Sequence, residues 1–446
     1  MSELLELAEK VVGWSRSGET VEAYVSRGTE TDIHVYQGSV ESLSSATSAG
    51  AGVRVVAHGR QGFAYVGSLE EEALAEALDE ARDNAGFASP EPWVGLPVPD
   101  GTSPALLDLW REELAGCPTA DKVAAALDLE RQVRLDRRIT QVETARWADV
   151  SGEMALASSL GISATDRSTA CYLTVAAVAG EGVDSKEAYG YTVGRAPSEL
   201  VPARAADDAV ARAVRLLGAA KPRSARLAVV FEPRVTAQLL NLISSGLSGE
   251  RVLKGTSLFA DRLGEVVAVP GFTLVDDPTN EAAWGASVFD DEGLACRRNT
   301  MVEDGVLKSF LYDSTAARRA GTSSTANAVR AGYKSAPGVG ARAVYLVPGT
   351  LSADEVLAQV GDGLLVQSMS GVHSGVNPIS GDFSVGVEGL LVEGGALGAP
   401  VREVTIASSI QRMLQGVVAV GADLDWLPSS AAGLTLAISE MSMSGA

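Results

Sequence analysis

The feature that most restricts how this chain can fold is a period-two alternation of apolar and polar residues, bracketed each time by amphipathic helices. Residues 4–16 carry an apolar helical face, and VEAYVSRG (21–28), TDIHVYQGSVESLS (31–44) and GAGVRVVAHGRQGFAYVGS (50–68) then alternate as strands. SLEEEALAEALDEARDNA (68–85) returns to the helical period, with Ser68 as the expected N-cap and carboxylates in its first turn, where the helix dipole favours them. The same order then recurs. A helix is expected over 119–138, alternating strands from Ile139 to about Thr192, and a closing helix over 198–219. The letters show no strict repeat, but the helix, strands, helix order appears twice.

Between the two units, GFASPEPWVGLPVPDGTSP (86–104) is dense in proline and glycine and reads as a linker. From ARLAVVFEP (225–233) onward strands dominate. ACRRNTMVEDGVLKSFLYD (295–313) reads as a hairpin turning at Asp304-Gly305, and GLLVEGGALGAPVREVTIAS (389–408) as one turning at Gly394-Gly395. Runs of strands beside helices, without regular βαβ alternation, indicate an α+β fold. The expected organisation is an N-terminal α+β domain (1–85), a linker (86–118), a middle α+β domain (119–220) and a strand-rich C-terminal domain (221–446).

The totals narrow the function. At 446 residues, 46% hydrophobic and 21% charged, the chain can bury several cores. A formal net charge of −21 argues against nucleic acid or an anionic membrane as the main partner. The N-terminus lacks a basic, apolar leader, and no stretch is apolar enough to span a bilayer, so a cytoplasmic location is expected. Cys117, Cys171 and Cys296 lie far apart and fit reduced thiols better than a disulfide framework.

Catalytic motifs are scarce. The three histidines, His34, His58 and His373, have no partner at ligand spacing, and His-Glu-x-x-His, Cys-x-x-Cys, Gly-x-Ser-x-Gly and phosphate-loop patterns are missing. LLNLISSGLSGERVLKGTSLF (239–259) starts as a buried helix and breaks into a Gly-x-x-Gly turn that delivers serines, an asparagine and a glutamate. SGVHSGVNPISGDFSVGVEGLLVEGG (370–395) reads either as a long turn into an edge strand or as a loop whose small residues admit a peptide backbone or a partner subunit. On residue chemistry alone the turn is the simpler reading.

Three longer stretches carry more information. FDDEGLACRRNTMVEDGVLKSFLYDSTAARRAGTSSTANA (289–328), GVNPISGDFSVGVEGLLVEGG and REVTIASSIQRMLQGVVAVGADL resemble the TldD/TldE (PmbA) metallopeptidase family, as does GVRVVAHGRQGFAYVGS. In the metal-bearing TldD type, a His-Glu-x-x-x-His helix precedes a Gly-Leu-x-Gly-acid turn and a Gly-Thr-Ser strand. GLSGE (246–250) and GTSLF (255–259) match that downstream pattern, so the resemblance places the ligand histidines at Leu240 and Ser245 and the glutamate at Asn241. None of these side chains replaces an imidazole or a general base. The C-terminal cysteine of TldD-type chains also has no counterpart beyond Cys296, and STANAVR (324–330) departs from a common Gly-His pair.

The resemblance therefore implies the TldE type, a subunit inactive alone, with no metal or cofactor of its own. Zinc is expected in a TldD-type partner with which it forms a heterodimer acting on unfolded or modified peptides. Gly375, Asn377, Ser380, Gly381, Asp382, Phe383 and Ser384 are the expected substrate or interface loop. The alternative is a non-enzymatic binding protein that modulates a toxin, a topoisomerase or a peptide pathway.

Overall fold

The computed structural model describes residues 2–445, apart from the side chain of Val183. Met1 and Ala446, the outer bounds of the expected domains, lie outside the described residues. The fold is α+β. The first half runs α1 (Glu3–Gly13), β1 (Glu19–Tyr36), β2 (Ser39–Ala57), β3 (Arg60–Val66) and α2 (Glu71–Phe87). After one turn, α3 (Glu112–Ala115), come α4 (Thr119–Val133), β4 (Ile139–Ser158), β5 (Ser163–Ala179), β6 (Lys186–Gly194) and α5 (Pro202–Val214).

These six strands form one antiparallel sheet in the order β3-β2-β1-β4-β5-β6. The order is symmetric about the β1–β4 seam, where Gly28 faces Gly152. The repeated helix, strands, helix order thus folds as two halves of a single sheet. Strand periodicity sorts the faces. Val21, Ala23 and Val25 of β1 pack with Leu4, Leu74 and Leu78 of α1 and α2. Further along the same face, Ile33 and Val35 pack with Leu129 of α4, Ala209 of α5 and Trp147.

The two halves also share a packing device. A Cβ on Gly62 in β3 would lie 1.9 Å from the Ala81 carbonyl oxygen of α2, and one on Gly190 in β6 would lie 1.7 Å from that of Ala205 in α5. Glycine lets each closing helix sit directly on its strand.

Two local expectations are corrected. Strands expected at 21–28 and 31–44 are one continuous β1 of 18 residues followed by β2, and the turn falls at Gln37-Gly38, both at positive φ. Gly28, the last residue of the first expected strand, stays extended because a strand lies on each side of it. Ser68 does not cap α2; its hydroxyl accepts from Glu70 N at 3.1 Å, ahead of a helix whose N-cap is Glu70. The linker is also docked, with Trp93 O accepting from Arg318 Nε at 2.8 Å.

The second half begins with β7 (Ala225–Phe231), α6 (Pro233–Gly246) and α7 (Gly249–Leu253). A smaller four-stranded sheet is built from β8 (Leu274–Asp276), β9 (Asn299–Glu303), β10 (Val306–Leu307) and, later in the chain, β13 (Val344–Leu346) beside β8. Next come α8 (Ser314–Ala320), β11 (Ala328–Val329), β12 (Gly338–Val339), β13 (Val344–Leu346), α9 (Ala353–Val360) and β14 (Gly363–Ser370). The chain ends with α10 (Val372–Gly375), β15 (Asp382–Glu393), β16 (Ala396–Ser409), α11 (Ile410–Gln415), β17 (Val417–Val420), β18 (Asp425–Trp426), β19 (Ala432–Gly433) and β20 (Leu436–Ser444).

Its main sheet has the order β16-β15-β14-β7-β20-β17, and β16 also pairs with β20. Strands β7, β14, β15, β16 and β20 therefore close into a ring. Both hairpins turn where expected, with Asp304-Gly305 and Gly394-Gly395 at positive φ. The expected edge strand at 382–393 is corrected, because β15 lies between β14 and β16. Closure leaves no free edge there for another chain.

The face of the first sheet that does not carry its helices rests on the second half through buried charge. Glu22 and Arg54, cross-strand neighbours, pair through Arg54 Nε and Glu22 Oε1 at 2.9 Å. Arg54 Nη2 also donates to Glu292 Oε1 at 3.0 Å, and Arg330 Nη2 to Glu22 Oε1 at 3.0 Å. Arg330 stacks over Tyr24, its guanidinium carbon 4.4 Å from the ring centroid. The FDDEG stretch thus joins the two halves through Glu292, while Asp291 holds Arg330, accepting from its backbone N–H at 2.8 Å.

Candidate functional site

The stretch 239–259 folds around α6. Proline at the first helical position suits a start whose N–H has no intrahelical partner. Val235, Leu239, Leu240 and Ile243 face the core. Arg234, Gln238, Asn241, Leu242 and Ser245 form the outward stripe, at spacings of three and four residues. The Gly-Leu-Ser-Gly turn has a structural cause: a Cβ on Gly249 would lie 2.1 Å from the Tyr312 ring. Ser257 Oγ donates to Gly246 O at 2.5 Å, and Gly255 takes φ +67. Residues 255–259 are therefore turn, not the strand that the resemblance implies.

Beside the turn lies a cleft of about 440 Å³. Asn241, Ser244, Ser245, Ser248, Arg251 and Ser430 line it. Ser430 Oγ donates to Asn241 Oδ1 at 3.1 Å, and Ser244 Oγ to the Asn241 carbonyl at 3.1 Å. The structure therefore brings Asn241 and Ser245 to one cleft, while Leu240 is fully buried in the core and does not line it.

Ser430 was not legible from the sequence. It stands 189 residues from Asn241, in a serine-alanine run with no motif. The donors at this cleft are hydroxyls, a carboxamide, the Arg251 guanidinium and the Glu250 carboxylate, which Lys254 holds at 2.5 Å. Zinc takes imidazole, thiolate or free carboxylate, so this donor set does not fit it.

The remaining thiols and histidines lie elsewhere. Burial pushes the thiols of Cys117, Cys171 and Cys296 up, away from the reactive thiolate. His34 sits between Thr144 Oγ1 (3.3 Å from Nδ1) and Asp32 (3.2 Å from Nε2), and His58 occupies the β2–β3 turn at positive φ. His373 is exposed on α10.

The loop from Gly375 to Ser384 is held by its own hydrogen bonds. Asn377 Oδ1 accepts from Ile379 N at 2.9 Å and Ser380 N at 3.1 Å, and Ser380 Oγ donates to Asp382 Oδ2 at 2.7 Å. Gly381, at φ +79, is packed against Gln411, whose Nε2 donates to Ser380 O at 2.9 Å. A Cβ on Gly375 would lie 1.9 Å from Ser384 O. Phe383 is buried in the core; Asp382 and Ser384 point outward. None of these residues lines the α6 cleft.

Deep carboxylates occur instead at the contact between the halves. Asp290 accepts from the backbone N–H groups of Glu292, Leu294 and Ala328, yet burial, aided by the Glu292 charge, pushes its pKa up to about 7. Asp313, the N-cap of α8, is pushed up to about 6 by the same two causes. Both are committed to backbone donors and serve packing.

Comparison with known proteins agrees with this architecture. Residues 21–85 match the PmbA/TldA metallopeptidase domain 1, 112–217 the central domain and 224–445 the C-terminal domain. The chain is 28% identical to the metalloprotease PmbA of Escherichia coli O157:H7, covering 100% of this chain and 95% of that protein. It is 32% identical to a metalloprotease TldD homolog of Buchnera aphidicola, over 41% of this chain and 38% of that one. The crystal structure of TldE from Thermococcus kodakarensis superposes with a TM-score of 0.89 at 24% identity, covering 99% of each chain. Three domain matches that together span nearly the whole chain, on a fold shared end to end with TldE, place this protein in the PmbA/TldD metallopeptidase family.

Proposed function

We propose that this chain is a metal-free, TldE-type subunit of a TldD/TldE-like metallopeptidase. A TldD-type partner would hold the zinc, and the pair would cleave unfolded or modified peptides, including precursor and leader segments, in the cytoplasm. The observation that carries this reading is the chemistry of the α6 cleft. Where the resemblance expects histidine, glutamate and histidine, the chain has Leu240 in the core and Asn241 and Ser245 at the cleft. Ser430, hydrogen-bonded to Asn241, comes from the C-terminal segment, the region from which the resemblance expects a cysteine ligand. Hydroxyls and a carboxamide bind a peptide by hydrogen bonds but activate no water.

In this reading the chain completes a chamber and supports its partner, and the Gly375–Ser384 loop faces the partner or the peptide. The test is co-purification with a protein carrying His-Glu-x-x-x-His, followed by peptidase assays with and without chelator. The isolated chain should be inactive and the mixture active and chelator-sensitive. Chelator-resistant cleavage by the isolated chain would refute the reading. Stable binding to a topoisomerase or a toxin without proteolysis would favour a modulator instead.

A further inference from the structure

The outward stripe of α6 borders two clefts. Asn241 and Ser245 line the one described above, and Arg234 and Gln238, earlier on the same stripe, line a second of about 640 Å³ between the two halves of the molecule. The segment 427–430 follows the same order, with Leu427 and Pro428 at the second cleft and Ser430 at the first. Along the helix axis Arg234 and Ser245 are about 16 Å apart, the length of about five extended residues.

The first cleft holds donors without acceptors. Asn241 Oδ1 is taken by Ser430, which leaves the carboxamide N–H groups of Asn241. Among the described residues, the hydroxyls of Ser245 and Ser248 and the guanidinium of Arg251 have no partner either. The carboxylate of this cleft, Glu250, is neutralised by Lys254 at 2.5 Å. One uncompensated positive charge therefore remains, on Arg251, in a chain of net charge −21.

The second cleft differs. Its cations are committed: Arg146 to Asp32 at 2.7 Å, Lys186 to Glu388 at 2.5 Å, and Arg234 to Asp208. What it offers a ligand is apolar surface from Met369, Leu427 and Tyr189, the last 52% exposed.

We propose that Arg251 seats a carboxylate of an extended peptide, with Asn241 and Ser245 donating beside it, and that an apolar side chain about four residues away enters the second cleft. A guanidinium meets a carboxylate through two parallel hydrogen bonds, and tyrosine receives an apolar group at low entropic cost. The inference rests on the reading of the chain as a peptide-handling subunit and deepens it: a chain that activates no water holds a peptide by one end.

The test is isothermal titration calorimetry of the isolated full chain with acetyl-Phe-Ala-Ala-Ala-Ala as the free acid, as the C-terminal amide, and as the amide with glutamate in the last position. The free acid, the glutamate amide or both should bind roughly tenfold tighter than the plain amide. Which of them does so tells whether the carboxylate is the peptide's C-terminus or a side chain. Arg251→Gln should erase the difference, and Arg251→Glu should turn the preference toward an amide ending in lysine. Tyr189→Ala should weaken all three phenylalanine peptides and leave their ratios unchanged. Equal binding of the three peptides to the unaltered chain would overturn the proposal, and that comparison decides even if a variant misfolds. So would a carboxylate preference that survives Arg251→Gln, or no binding of any peptide up to about 5 mM. The assay needs no partner, so its failure leaves the co-purification test standing, and failure of co-purification leaves this one readable.

Discussion

Replacing Arg54 with methionine probes the contact that holds the two halves of the molecule together. The guanidinium, with a side chain 3% exposed, is the shared cation of two carboxylates whose own side chains are each 1% exposed. It meets Glu22 through Nε at 2.9 Å and through Nη2 at 2.5 Å, and Glu292 through Nη2 at 3.0 Å. Methionine fills much of the volume but carries no charge. Glu22 would then keep only Arg330, and Glu292 only the Ser314 N–H at 2.8 Å and hydroxyl at 2.7 Å. Stranding a buried charge in this way costs about 3–5 kcal/mol, far above the roughly 0.5 kcal/mol of an ordinary surface change.

The assay is urea unfolding followed by intrinsic fluorescence, with Glu22→Gln and Glu292→Gln added singly and together to Arg54→Met. Neutralising the stranded carboxylates should recover part of the loss, so the triple variant should be more stable than the sum of its parts. A shift for Arg54→Met within about 0.5 kcal/mol, or strict additivity in the series, would refute the reasoning.

Two further outcomes follow from the site and the buried carboxylates. The combined variant L240H/N241E/S245H should bind no stoichiometric zinc, because position 240 faces the core and does not reach the cleft; calorimetric zinc titration reads this, and tight one-to-one binding would contradict it. Asp290 has a folded pKa raised from 3.8 to about 7, so its protonated form is the one that folding favours. Its contribution is complete below about pH 4 and is lost as pH rises toward about 7. The stability difference between the unaltered chain and Asp290→Asn should therefore shrink from pH 4 to 7 in denaturant melts; a difference that grows with pH would be wrong in sign.

Much of this fold is written in local pattern. Period-two alternation located the strands, and the Asp304-Gly305 and Gly394-Gly395 pairs located two turns, because positive φ leaves few residue choices. The Gln37-Gly38 turn escaped notice because alternation continues through it on both sides. Sheet order and barrel closure are long-range pairings, β1 with β4 and β16 with β20, that no window of sequence contains. The candidate site divides in the same way. Leu240, Asn241 and Ser245 came from the match of the downstream turn to a known family, whereas Ser430 meets Asn241 at the cleft only through tertiary structure. The acidic FDDEG run was legible as a motif, but Arg54, the partner of its Glu292, lies in the opposite half of the molecule.

The central claim, a family member that has no metal site of its own and works beside a subunit that has one, is tested most directly by zinc stoichiometry. The chain would be purified alone and in complex with a TldD-type subunit, and each preparation analysed for zinc per polypeptide. The account predicts none in the isolated chain and about one per heteromeric pair, lost together with peptidase activity on chelation. A reproducible one zinc per isolated chain would contradict it.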